Sequence, residues 1–143
     1  MEPVKLLGIC CNWSPYACYN AAGMAHLDLP ANLRIIRVMC IGRINQALIL
    51  RAFEFGADGV ILLECHDDDC RYGPGPEVGH GNVTRARKML HLLGIRQERL
   101  VERSFGAHEK EELVQALQEF SRDMARLGPI SARGRGVRPR EER

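Results

Sequence analysis

Several familiar signatures are missing from this chain. It has no G-x-G-x-x-G turn and no Walker loop, so no standard cradle for a dinucleotide or nucleoside triphosphate is present. The loop after its first apolar run is built from cysteine, tryptophan and proline. Its single small hydroxyl residue, Ser14, falls short of the several that would hold a flavin phosphate. There is no C-x-x-C, which excludes a thioredoxin-type dithiol. No apolar stretch approaches the roughly 18 residues that cross a bilayer, so no membrane insertion is expected. The opening Met-Glu-Pro-Val-Lys does not lead from a basic segment into a long apolar one. A secretory signal is therefore not expected, and a cytoplasmic location is.

A basic face is missing as well, although the formal charge of the 143 residues is +2. From Pro129 onward the chain holds five arginines against two glutamates, or +3, which leaves the body near −1. Such a body does not present the electrostatic footprint of a nucleic-acid binder. Residues 129–143 have almost nothing to bury, so a disordered basic tail is expected there, following one α/β domain over residues 1–128. The tail reads as a solvated terminus or as a strip that docks on an acidic partner.

What the chain has in excess is cysteine: residues 10, 11, 18, 40, 65 and 70. In a reducing compartment these point to metal binding or redox chemistry rather than to disulfide staples. Their placement follows from the expected elements. Val4 to Cys10, Leu33 to Cys40 and Gly59 to Cys65 read as buried strands, and Leu100 to Phe105 as a weaker fourth. Tyr16 to Leu29, Ile44 to Phe55 and His108 to Leu127 read as helices. A further helix runs from an Asn82 N-cap to Leu93. Four strand–helix alternations with short connections imply an open, mostly parallel four-stranded sheet with helices on both faces, flavodoxin- or Rossmann-like, in the order 2-1-3-4.

Parallel strands direct their carboxyl ends to one edge, where ligands of open α/β sheets bind. Cys10-Cys11, Cys40 and Cys65 each close a strand, and Cys70 can fold back to the same place. Four converging thiolates suit zinc or an iron–sulfur cluster. Knuckle spacing is absent, which favours an iron–sulfur cluster fed from several loops. Cys18 reads as a core or surface thiol. Around these sulfurs, Trp13 and Tyr16 read as aromatics that cover the sheet edge and would keep water from a cluster. Arg43 reads as a cation held against thiolates or as a plain surface arginine. His66 reads as a hydrogen-bond donor just outside the ligand sulfurs, with packing and metal ligation as alternatives. Cys65 to Arg71 spells C-x5-R, but three aspartates inside it would repel any oxyanion.

The segments CCNWSPY, RIIRVMCIGR, FEFGADGVILLECHDDDCRY and LHLLGIRQERL together resemble the delta subunit of methyl-viologen-reducing hydrogenase. The resemblance spans about Leu6 to Leu127. It implies a [2Fe–2S] protein that carries electrons within a larger cytoplasmic oxidoreductase complex of anaerobic metabolism. It would sit between a hydrogenase or other electron donor and a flavin- and iron–sulfur-containing partner similar to the A-type subunit of heterodisulfide reductase. No substrate turnover by the isolated chain is implied. Carried over by position, the metal ligands are Cys11, Cys40, Cys65 and Cys70. The family pattern has a further cysteine right after the tryptophan, where this chain has Ser14. Should that position normally supply a ligand, Cys10, Cys18 or Ser14 would have to replace it. Otherwise the chain would be a cluster-free or zinc-containing adaptor.

Overall fold

The computed structural model describes residues 3–130. The arginine-rich segment 131–143, most of the expected tail, lies outside the described residues. Four strands and four helices alternate: β1 (Leu6–Cys11), α1 (Ser14–Met24), β2 (Leu33–Val38), α2 (Gln46–Glu54), β3 (Gly59–Glu64), α3 (Gly75–Leu92), β4 (Leu100–Ser104) and α4 (Lys110–Leu127). The sheet is parallel throughout in the order β2-β1-β3-β4, as expected. None of the described helices is long and apolar enough to cross a membrane.

Each face of the sheet is packed by two helices. Ile9, Cys11, Val60 and Leu62 face an apolar layer with Ile49 and Phe53 of α2 and Val83 and Leu90 of α3. Leu6, Cys10, Ile61 and Leu63 face a second layer with Cys18 of α1 and Leu113, Leu117 and Phe120 of α4. The twofold alternation of strand side chains thus sends Cys10 and Cys11 to opposite sides of the sheet. Every residue of β3 is buried, as a central parallel strand requires.

The main departure from expectation is α3, which starts at Gly75 and not at Asn82. Pro76 in the first turn suits a helix start because its missing N–H would be unpaired there in any case. Asn82 instead lies inside the helix, where its side-chain amide donates to the Ile44 carbonyl at 2.8 Å. The glycines of this first stretch hid the helix from propensity reasoning, yet packing requires Gly79 among them. A Cβ on Gly79 would stand 2.3 Å from Ile41 Cγ2, so only glycine lets α3 close on the 3-10 turn Ile41–Arg43.

Arg99 fastens the opposite, amino-terminal edge. Its buried guanidinium donates to the carbonyls of Asp58, Leu127 and Gly128. At the same edge the Ile130 N–H donates to Asp58 Oδ1 at 3.0 Å.

Candidate metal centre

The carboxyl edge of the sheet gathers four cysteines on the α2/α3 side. Cys11 ends β1 and Cys65 follows β3, the strand beside it. Their sulfurs lie 3.5 Å apart, and each residue is only 3 % exposed. Two thiolates on one tetrahedral ion, with metal–sulfur bonds near 2.3 Å, stand roughly 3.7 Å apart, so this pair fits one ion. Cys40, two residues past β2, and Cys70, after the 3-10 turn Asp67–Asp69, form the second pair. Their side chains interact, and Cys40 also senses Cys65. Both sulfurs press on the first residue of α3: a Cβ on Gly75 would meet Cys40 Sγ at 2.5 Å and Cys70 Sγ at 2.9 Å. Among the described residues, no three His, Cys, Asp or Glu side chains are grouped so that they could hold one metal ion. The sulfurs come as two pairs.

The protonation of Cys65 and Cys40 is set mainly by burial. Burial first, and then the neighbouring Cys11, push Cys65 up to about 12, against a hydrogen bond from the Ser14 backbone. Burial likewise raises Cys40, with the Gly42 backbone N–H opposing and Cys70 adding to the rise. Without a metal these groups are neutral thiols at pH 7, and binding would have to release their protons. The donor set fits an iron–sulfur cluster: four soft sulfurs in two pairs, amide N–H groups aimed at two of them, and a glycine cradle where a side chain would intrude.

Three loops are stitched together over the sulfurs. Trp13 Nε1 donates to the Met39 carbonyl at 3.0 Å, joining the loops after β1 and β2. The Arg71 guanidinium lies 4.0 Å from the Trp13 ring centre, and Tyr72 meets that ring edge-on with centroids 6.4 Å apart. Ser14 Oγ donates to Asp69, adding a tie between the loops after β1 and β3. Trp13→Ala removes one hydrogen bond and a cation–π contact, each worth about 1 kcal/mol. A variant chain loaded with iron is expected to lose it to a chelator severalfold faster than the unaltered chain, with bleaching of visible absorption as the readout.

The remaining candidates stand elsewhere. Cys10 and Cys18 are fully buried in the α1/α4 layer, across the sheet from the four sulfurs. Burial pushes Cys10 up to about 12 and Cys18 up to about 11, as expected of core thiols. His66 Nε2 pairs with Glu109 Oε1, and the same oxygen accepts the Gly106 N–H, so this histidine ties β3 to the start of α4. Arg43 is exposed. It lines a hollow of about 500 Å³ with Met39, Cys40, Tyr72 and Val78. The aspartates at 67, 68 and 69 are exposed, consistent with a solvated turn.

Sequence reasoning missed two participants. Gly75 carries no chemical group that marks it, and only the close approach of a helix to two sulfurs shows its part. Glu64, next to Cys65, is 6 % exposed and has one carboxyl oxygen without a hydrogen-bond partner. Burial first, and then Glu102 and Asp67, push its carboxyl up to about 8. Its place at the end of an apolar strand was the available signal.

The chain is 39 % identical over 130 residues to the D-type iron–sulfur subunit of the vhc F420-non-reducing hydrogenase of Methanococcus voltae, covering 91 % of this chain and 90 % of that one. It is 33 % identical over 129 residues to the D-type iron–sulfur subunit of the F420-non-reducing hydrogenase of Archaeoglobus profundus, covering 90 % and 93 %. It is also 34 % identical over 122 residues to the A-type subunit of the ferredoxin:CoB-CoM heterodisulfide reductase of Methanosarcina mazei. There the match takes in 85 % of this chain but 15 % of the longer protein. Residues 6–128 match the family model described as methyl-viologen-reducing hydrogenase, delta subunit, so the chain belongs to that family.

Proposed function

We propose that this chain is an electron-transfer subunit that holds one [2Fe–2S] cluster on Cys11, Cys40, Cys65 and Cys70 within a larger cytoplasmic oxidoreductase complex. The observation that carries the proposal is the meeting of two thiol pairs at one sheet edge, drawn from three separate loops. A cluster of two irons takes two thiolates on each, which is how these sulfurs are grouped. When bound, the cluster would supply a one-electron carrier. The chain's own residues gather the sulfurs, direct the N–H groups of Gly42 and Ser14 at them, and roof them with Trp13.

The relatives support the place of this carrier in a complex. Two of them are named iron–sulfur subunits of hydrogenases, and in a third the matching stretch belongs to the A-type subunit of a heterodisulfide reductase. The partners are accordingly a hydrogenase or similar donor and a flavin- and iron–sulfur-containing protein of that A type. Turnover of a substrate by the chain alone is not part of this reading. Neither are nucleic-acid binding and insertion into a membrane. The iron–sulfur domain of this reading is residues 1–128, with Ile130 of the arginine-rich sequence that follows still tied to Asp58.

Anaerobic isolation followed by reduction with dithionite tests the assignment. Low-temperature EPR is expected to show a new signal from a half-integer spin, integrating to about one per chain. A chain that stays silent after reduction and carries zinc instead would be an adaptor between redox subunits. Ser14, whose hydroxyl is already committed to Asp69, is the feature that favours that second reading.

A further inference from the structure

The two sulfur pairs are not equivalent, and this inference rests on the iron–sulfur reading above. Cys11 and Cys65 are sealed at 3 % exposure among Ile9, Val60 and Leu62. Cys40 is 8 % exposed and opens into the 500 Å³ hollow, and Cys70 is half-buried. The Gly42 N–H serves Cys40. Gly75, where the 18-residue α3 begins, lies so near both outer sulfurs that an added Cβ would collide with them. Cys65 also receives an N–H, from Ser14, so hydrogen bonding alone does not separate the pairs. Burial does. A cluster that gains an electron gains negative charge, and that charge is better stabilised beside water than inside an apolar layer.

We infer that the transferred electron resides on the iron held by Cys40 and Cys70, and that Gly75 is the positioning residue that lets both sulfurs reach that iron. The step is a one-electron reduction. A reduced iron–sulfur centre of a partner, or dithionite in the laboratory, gives up one electron. The iron on Cys40 and Cys70 passes from ferric to ferrous, and the iron on Cys11 and Cys65 stays ferric. No bond forms or breaks, and no proton moves.

The test uses the full chain, reduced by dithionite after its sulfide content has been measured. Proton NMR of the reduced protein separates cysteine β-protons into a ferric set and a ferrous set by the opposite temperature dependence of their shifts. The Gly75 α-protons are expected to show Overhauser contacts to the ferrous set. Contacts to the ferric set, or a single averaged set, would overturn the assignment while leaving the cluster itself in place. Absence of sulfide would instead overturn the iron–sulfur reading and this assignment with it. Gly75→Ala is then compared with Gly81→Ala, where an added Cβ meets only Arg85 Nη1 at 3.8 Å. Gly75→Ala is expected to shift the midpoint potential and the g-values, or to lose the cluster, while Gly81→Ala does neither. Identical potentials and spectra in the two variants would remove Gly75 from the account.

Discussion

Cys65→Ala is expected to strip the chain of iron and sulfide together, and Cys40→Ala to do the same from a different loop. Changes in groups that merely contact a metal ligand already weaken metal affinity roughly 10–100-fold. Removing a ligand outright should therefore leave iron on the order of a tenth of the unaltered chain or less. The control is Cys18→Ala. Cys18 is fully buried, so the substitution is expected to lower stability by about 1 kcal/mol in chemical unfolding. It lies across the sheet from the four sulfurs, so cluster content should not change. Iron loss in Cys18→Ala, or a cluster that survives Cys40→Ala unchanged, would contradict the ligand set.

The second large effect concerns pH. Glu64 ends the central strand with a buried carboxyl whose pKa is pushed from 4.5 up to about 8 by burial, Glu102 and Asp67. In the unfolded chain the same group ionises near its ordinary value. Below about pH 4.5 the carboxyl is protonated in both states, and its full contribution to stability is present. As pH rises from there through 8, the unfolded chain gains from ionisation while the folded chain does not. Folding stability is therefore expected to fall across that window, by up to ~1.4 kcal/mol per pH unit. Glu64→Gln keeps the shape and should flatten the profile in urea titrations made between pH 5 and 8. A flat profile in the unaltered chain would show that the carboxyl finds a partner.

The fold was legible because the pattern is unusually regular. Near-continuous apolar runs at residues 33–38 and 59–64, separated by helical spacing and short turns, leave little besides a parallel sheet. Strand order 2-1-3-4 was the preference that flavodoxin-like sheets suggest, and the sheet has that order. The gathering of Cys11, Cys40, Cys65 and Cys70 was readable for the same reason, since topology alone sends parallel strand ends to one edge. The separation of Cys10 from Cys11 follows from strand alternation.

What the residues hid was packing between glycines and helices. Gly75, Gly79 and Gly81 lower helix propensity, so α3 reads as starting at Asn82, seven residues after its actual first turn. Two of those glycines are needed because Ile41 and the sulfurs of Cys40 and Cys70 occupy the space a Cβ would fill. His66, next to Cys65 in sequence, pairs through Nε2 with Glu109, the residue just before α4.

The central claim is that distant cysteines, brought to one edge by parallel topology, hold iron and sulfide. Its most direct measurement is iron and acid-labile sulfide per chain in anaerobically isolated full-length protein. The expected result is about two of each per chain, lost together when Cys40 or Cys65 is replaced. Intact protein that contains zinc, or no metal, and no acid-labile sulfide would contradict it.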